Sequence, residues 1–183
     1  MDKFLLDRNN ALLVVVDIQD RLADVMSKRQ KVTNNCLHLI EAAKLLDIPI
    51  IVTEQYPKGL GPTIHEIKNA LPRYEPVEKI TFDCCREPAF LEKAASQGKN
   101  QIILTGMETH ICVLQTCLGL LKDNYTVHLV KDATCSRTKD SYLTAIDFLQ
   151  NAGAVITCTE TALFQLLERA GTSEFKAISK RIK

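Results

Sequence analysis

Neither sign of charge prevails in this 183-residue chain: 23 basic residues stand against 22 acidic ones, for a formal net charge of +1. A protein that grips nucleic acid or an anionic membrane electrostatically carries a basic face, and the sequence shows none, so neither partner is expected. No window approaches the roughly 20 apolar residues of a membrane span. The N-terminus lacks the charged-then-apolar layout of a signal peptide, and a cytoplasmic location is the expectation. The seven cysteines include no C-x-x-C pair and no His/Cys spacing of the zinc-site kind, which argues against a disulfide framework and a structural metal. Gly106 stands alone after its apolar run, so the G-x-G-x-x-G fingerprint is missing, and no G-x-x-x-x-G-K-[ST] phosphate loop occurs. NAD and ATP are not indicated. The G-x-S-x-G elbow of the common serine hydrolases is absent too.

What is present centres on residues 101 to 121, Gln-Ile-Ile-Leu-Thr-Gly-Met-Glu-Thr-His-Ile-Cys-Val-Leu-Gln-Thr-Cys-Leu-Gly-Leu-Leu. The apolar run Ile102 to Leu104 has strand length, and a polar corner, Glu108-Thr109-His110, separates it from an apolar stretch of helical length. With Thr109 as N-cap, Cys112 falls in the first helical turn, near unpaired backbone N–H groups and the positive end of the helix dipole. That position favours thiolate over thiol. The competing reading is a cysteine packed as a small hydrophobe, the default for Cys36, Cys117, Cys135 and Cys158.

The rest of the chain alternates strands and helices. Ala11 to Val16 is a valine-rich run ending on Asp17, with the pattern of a buried parallel strand. Ser27 to Leu46 reads as a long amphipathic helix stopped at Asp47-Ile48-Pro49. A second strand, Ile50 to Thr53, opens into a loop of turn formers from Glu54 to Pro62, a candidate lid or pocket wall. A short helix over Thr63 to Ala70 and a weak third strand over Pro76 to Phe82, carrying Lys79, come next. A helix over Glu87 to Ser96, the Cys112 segment, a strand over Tyr125 to Val130, a helix over Thr138 to Asn151, a strand over Ala154 to Thr157 and a helix over Thr159 to Glu168 complete the pattern. The basic stretch Lys176 to Lys183 reads as part of a solvated tail, residues 171–183.

With 46% hydrophobic and 25% charged residues, this is one domain over residues 1–183 with a single core. The alternation calls for a three-layer α/β sandwich, a doubly wound parallel sheet of six strands. In such a sheet the carboxyl ends of all strands share one edge. Asp17, Lys79 and Cys112 each come just after a strand or at its end, so an acid, a base and a sulfur can converge there as a covalent hydrolase requires.

Over residues 9 to 170 the chain resembles the isochorismatase-like cysteine hydrolases, a family that includes nicotinamidases. The resemblance rests on Val15-Val16-Asp17-Ile18-Gln19, Glu78-Lys79, Gly106 to Thr116, Lys131-Asp132-Ala133 and Ser136-Arg137. The loop Gln55-Tyr56-Pro57-Lys58-Gly59-Leu60-Gly61 is similar to that of a branch with undefined substrates. The resemblance implies an isochorismatase-like, Rossmann-like fold and a catalytic trio of Asp17, Lys79 and Cys112. It also implies a cis peptide between Met107 and Glu108, with the backbone N–H groups of Glu108 and Cys112 as oxyanion hole. Gln19, Gln55, Tyr56, Phe82 and His110 are the candidate substrate-binding residues. Nicotinamidases carry an aspartate and histidines for a metal after the second strand, where this chain has Glu54-Gln55-Tyr56, so no metal and no other cofactor are expected. Asp83 replaces a serine found in many relatives, which leaves either a more acidic pocket or a solvent-facing acid. The implied activity is C–N cleavage of a small amide or ureido substrate by a homo-oligomeric enzyme. Two alternatives remain: the family's isochorismate vinyl ether hydrolysis, which does not use the cysteine, and a non-catalytic interaction protein retaining the scaffold.

Overall fold

A computed structural model describes residues 2–182. The valine-rich run is strand β1, Ala11–Val16, and every residue in it is buried. Its alternate side chains divide between two apolar cores, because successive residues of a strand point to opposite faces. Ala11, Leu13 and Val15 enter one core and Leu12, Val14 and Val16 the other. The remaining strands are β2 (Ile50–Gln55), β3 (Val77–Lys79), β4 (Gln101–Met107), β5 (Thr126–Cys135) and β6 (Val155–Thr157). They form one six-stranded sheet in the order β3-β2-β1-β4-β5-β6, and every pairing is parallel. The order reverses between β1 and β4, which makes their carboxyl ends the switch point where such sheets bind ligands.

The helices are α1 (Asp20–Asp24), α2 (Arg29–Leu45), α3 (Pro57–Leu60), α4 (His65–Ala70), α5 (Pro88–Ser96), α6 (Leu114–Lys122), α7 (Lys139–Asn151), α8 (Thr159–Leu167) and α9 (Ser173–Arg181). Helices α2, α8 and α9 cover the first core, with Ile40, Leu163 and Ile178 fully buried, and α5, α6 and α7 cover the second, with Phe90, Leu120 and Leu149. Each such side chain contributes about 1.5–3 kcal/mol by leaving water. Gln165 on α8 ties the chain's start to this layer, accepting from Leu6 N at 3.1 Å.

The sheet carries a core on each face where a single core was expected, and the loop from Glu54 to Pro62 contains α3; the structure departs from the sequence-based expectations in four further places. The stretch read as a solvated tail contains α9, capped by Thr172, whose side chain accepts from Phe175 N. Phe175, Ile178 and Ile182 pack on the first core, a face three and four residues apart that the surrounding lysines obscure. The third strand is Val77–Lys79 alone. Strand β5 continues past Val130 to Cys135, because the β4–β5 register shifts: Leu104 faces Leu129 while Gly106 faces Thr134. The bulge turns Asp132 onto α8, where its carboxylate accepts from Thr159 N at 2.7 Å and Thr159 Oγ1 at 2.9 Å. Finally, Thr109 opens a π-helical turn, Thr109–Val113, before α6, and its buried hydroxyl caps nothing.

One buried group makes stability depend on pH. His128 on β5 is fully buried, and neither ring nitrogen has a hydrogen-bond partner of good geometry among the described residues. Burial lowers its pKa from 6.5 to about 4, with only a small opposing effect from the Lys3 backbone. Between those values the unfolded chain binds the proton and the folded one does not. The stability from the neutral ring is therefore present above pH 6.5 and is lost as pH falls toward 4, by about 3 kcal/mol. Denaturant unfolding at pH 7 and pH 4 checks this: the drop should be smaller by that amount in His128→Leu.

Candidate active site

Asp17, Lys79 and Cys112 arrive at one place by three routes. Asp17 follows β1 with a positive φ of 51°, which turns its carboxyl group across the end of β2. There Oδ1 accepts from Thr53 Oγ1 at 2.7 Å. Lys79 is the last residue of β3, and its Nζ lies 2.8 Å from Asp17 Oδ2, with both side chains wholly buried. Cys112 lies in the π turn after β4, 5% exposed, and its Sγ is 4.0 Å from Gln55 Oε1.

Strand β4 reaches the site only because residue 106 is glycine. Its φ is +124°, and a β-carbon there would overlap the Val16 carbonyl oxygen. The Met107–Glu108 peptide bond is cis. The Glu108 carboxylate, 4% exposed, accepts from Arg137 N at 2.9 Å and pairs with Arg137 Nε at 3.1 Å. This ties the π turn to the loop after β5. Among the described residues, the Cys112 N–H makes no hydrogen bond outside its own turn.

The electrostatics correct the helix-terminus argument. The Cys112 thiol is pushed well above its usual range, by burial first and then by the Asp17 charge, against the lowering effect of Lys79. The resting form is a neutral thiol beside a carboxylate, and ionisation has to accompany proton transfer. Burial alone would lower the Lys79 pKa, but Asp17, with smaller contributions from Cys84 and Cys112, raises it, so the group is an ammonium at any ordinary pH. Its three N–H donors are consumed by the protein: Asp17, Gln55 Oε1 at 2.6 Å, and the carbonyls of Thr81 and Phe82 at 3.2 and 3.4 Å. Lys79 therefore serves the site through its charge.

The candidate substrate-binding residues differ in exposure. Gln19 and Gln55 face inward, 0% and 8% exposed, and their amides are engaged by protein partners. His110 is half-buried, with Nδ1 2.9 Å from Ser136 Oγ. Tyr56, just after β2, and Phe82, three residues beyond Lys79, are 52% and 51% exposed. Asp83 is half-buried in a surface depression it shares with Cys85, Arg86 and Gln115, away from Asp17 and Cys112, and its side chain caps the 3-10 turn Cys84–Arg86 by accepting from Cys85 N. Glu54, near the end of β2, uses Oε1 to accept from Thr63 N, Thr63 Oγ1 and Tyr74 Oη. No group of three metal-ligating side chains occurs among the described residues.

Sequence reasoning missed Cys84. It is fully buried, its N–H is held by Thr116 Oγ1 at 3.0 Å, and its thiol is pushed up to about 12 by burial and the Asp17 charge. Nothing in its local pattern distinguished it from a packed cysteine.

A six-stranded, all-parallel sheet with an acid, an ammonium and a thiol buried at its switch point defines the class of fold, a doubly wound α/β sandwich. The comparison with known families agrees. The Isochorismatase domain matches residues 11–161, and the chain belongs to that family of hydrolases. A secreted isochorismatase effector of Phytophthora sojae is 38% identical, the match covering 96% of this chain and 85% of that protein. The Caenorhabditis elegans structure described as MAR1 ribonuclease superposes with a TM-score of 0.90 at 35% identity, covering 97% of this chain and 92% of the other. An Escherichia coli octameric hydrolase of unknown specificity shares the fold, with a TM-score of 0.90 at 24% identity over 97% and 90% of the two chains. No helix among the described residues is long and apolar enough to cross a membrane.

Proposed function

We propose that the protein cleaves a C–N bond of a small amide or ureido compound through an acyl-enzyme on Cys112. The observation that carries this reading is the wholly buried Asp17–Lys79 pair beside a buried thiol. Removing two charges from water costs several kcal/mol per ion before their attraction is counted, a poor arrangement for stability and a good one for proton transfer. Asp17 takes the proton from Cys112 Sγ as sulfur attacks the carbonyl carbon. The oxyanion rests on the N–H groups of Glu108 and Cys112, while the Lys79 charge holds Asp17 in place. The tetrahedral intermediate collapses, the C–N bond breaks, and Asp17 returns its proton to the departing nitrogen. Water then attacks the thioester and gives a proton to Asp17, which passes it to sulfur as the acid leaves. No cofactor enters.

His110, Tyr56 and Phe82 provide the open side of the site toward a small-molecule substrate. We infer a homo-oligomer as the working form, for which the octamer named for the E. coli neighbour is the support. The charge-balanced chain does not favour the ribonuclease activity named for the worm relative. Purified protein assayed against nicotinamide, small amides, ureido acids and a short RNA should release amine or ammonia from an amide or ureido member. Cys112→Ser and Asp17→Asn should each lower that rate by about 10³-fold or more. Wild-type turnover in Cys112→Ser would overturn the mechanism.

A further inference from the structure

Gln19 and Gln55 form a chain of contacts that ends on the catalytic ammonium. The Gln19 side chain reads the main chain of Gln55 at two points. Its Oε1 accepts from Gln55 N at 2.7 Å, and its Nε2 donates to Gln55 O at 3.0 Å and to Gly61 O at 2.6 Å. The carboxyl end of β2 and the loop that follows are thereby fixed to the residue two places beyond Asp17. The side-chain amide of Gln55 is oriented without ambiguity. Nε2 donates to Ile80 O at 2.7 Å, an atom that only accepts, and Oε1 accepts from Lys79 Nζ at 2.6 Å, a group that only donates. A flipped amide would set like against like at both ends.

Resting on the nucleophile reading of Cys112, we propose that Gln19 and Gln55 are positioning residues, a relay in which Gln19 sets Gln55 and Gln55 pins the Lys79 ammonium against Asp17 and Cys112. Gln55 Oε1 is the shortest contact of Nζ, at 2.6 Å beside Asp17 at 2.8 Å and the longer Thr81 and Phe82 carbonyls, and it is also the oxygen that lies 4.0 Å from Cys112 Sγ. Without it the ammonium is left to Asp17 and the two longer carbonyl contacts and is no longer held on the side where the sulfur lies. The full charge of Lys79 outweighs the partial charge of the amide oxygen at Cys112, so its displacement makes the thiol harder to ionise. The titratable groups facing Cys112 are Asp17 from β1, Lys79 from β3 and the Cys84 thiol from the 3-10 turn.

The test is the rate of Cys112 carbamidomethylation by iodoacetamide from pH 7 to pH 10, read peptide by peptide in the intact protein with Cys85 as internal comparison. It requires no substrate. Gln55→Met should displace the Cys112 rate–pH curve by about one pH unit and slow labelling at pH 7 roughly tenfold, since thiolate is the reacting form. Gln55→Glu keeps an oxygen for Lys79 but adds a negative charge near sulfur, and should displace the curve further. Gln19→Met should displace it in the same direction by less, and should add nothing in the Gln55→Met background, because one residue acts through the other. Far-UV circular dichroism identifies a variant that does not fold, and the remaining variants then decide. An undisplaced curve in Gln55→Met or, where that variant does not fold, in Gln19→Met, or additive effects of the two, overturns the relay while leaving Cys112 as nucleophile. Turnover at the wild-type rate in Cys112→Ser overturns both.

Discussion

Lys79→Met is expected to remove activity and to cost about 3–5 kcal/mol of stability, because it leaves the Asp17 carboxylate buried without its counter-charge. For a chain of this size that corresponds to a fall in melting temperature on the order of 10 °C. The two losses separate in the double variant. Asp17→Asn combined with Lys79→Met removes both charges, and most of the lost stability should return while hydrolysis does not. Calorimetry and amine release on the same preparations check this. A Lys79→Met protein that melts within 2 °C of wild type, a margin equal to about 1 kcal/mol, would contradict the burial of this pair.

Gly106→Ala is the second large effect. The β-carbon would overlap the Val16 carbonyl oxygen, which belongs to the central strand's backbone and cannot give way as a flexible side chain does. The φ of +124° is also one that alanine rarely adopts. Strands β1 and β4 would have to part at the point where one delivers Asp17 and the other delivers Glu108 and Cys112. We expect a loss on the order of 3–5 kcal/mol from combined overpacking and backbone strain, with hydrolysis falling further than the remaining folded fraction explains. Gly98→Ala is the control. Gly98 also has positive φ but open space around its Cβ position, and only the conformational cost of about 1 kcal/mol applies. Equal melting temperatures for the two variants would contradict the close approach of β1 and β4.

Much of this architecture was legible in the chain because it is written in local patterns. The continuous apolar run of β1 announces a strand buried on both faces. Asp17, Lys79 and Cys112 at or just beyond strand ends follow from parallel topology, since parallel strands bring their carboxyl ends to one edge. What sequence could not convey depends on partners distant along the chain. Gln19 and Gln55 look like any polar residues near a pocket until their amides are seen spent on Gly61, Ile80 and Lys79. The thiolate expected for Cys112 rested on a capped helix starting at Thr109, whereas the π turn buries the sulfur beside Asp17, and burial outweighs the dipole. Helix α9 was hidden for a different reason. Its three core-facing residues, Phe175, Ile178 and Ile182, are diluted by lysine and arginine, and only the surface beneath them shows which face matters.

The central claim, that Cys112 carries the acyl group during C–N cleavage, is tested most directly by trapping it. The protein is mixed with a substrate from the amide and ureido panel, quenched in acid within one turnover, and digested for peptide mass mapping. The account predicts the acyl mass on the peptide containing Cys112 and on no other cysteine peptide, and its loss in Cys112→Ala together with turnover. Steady product release with no adduct on Cys112, undiminished in Cys112→Ala, would contradict it.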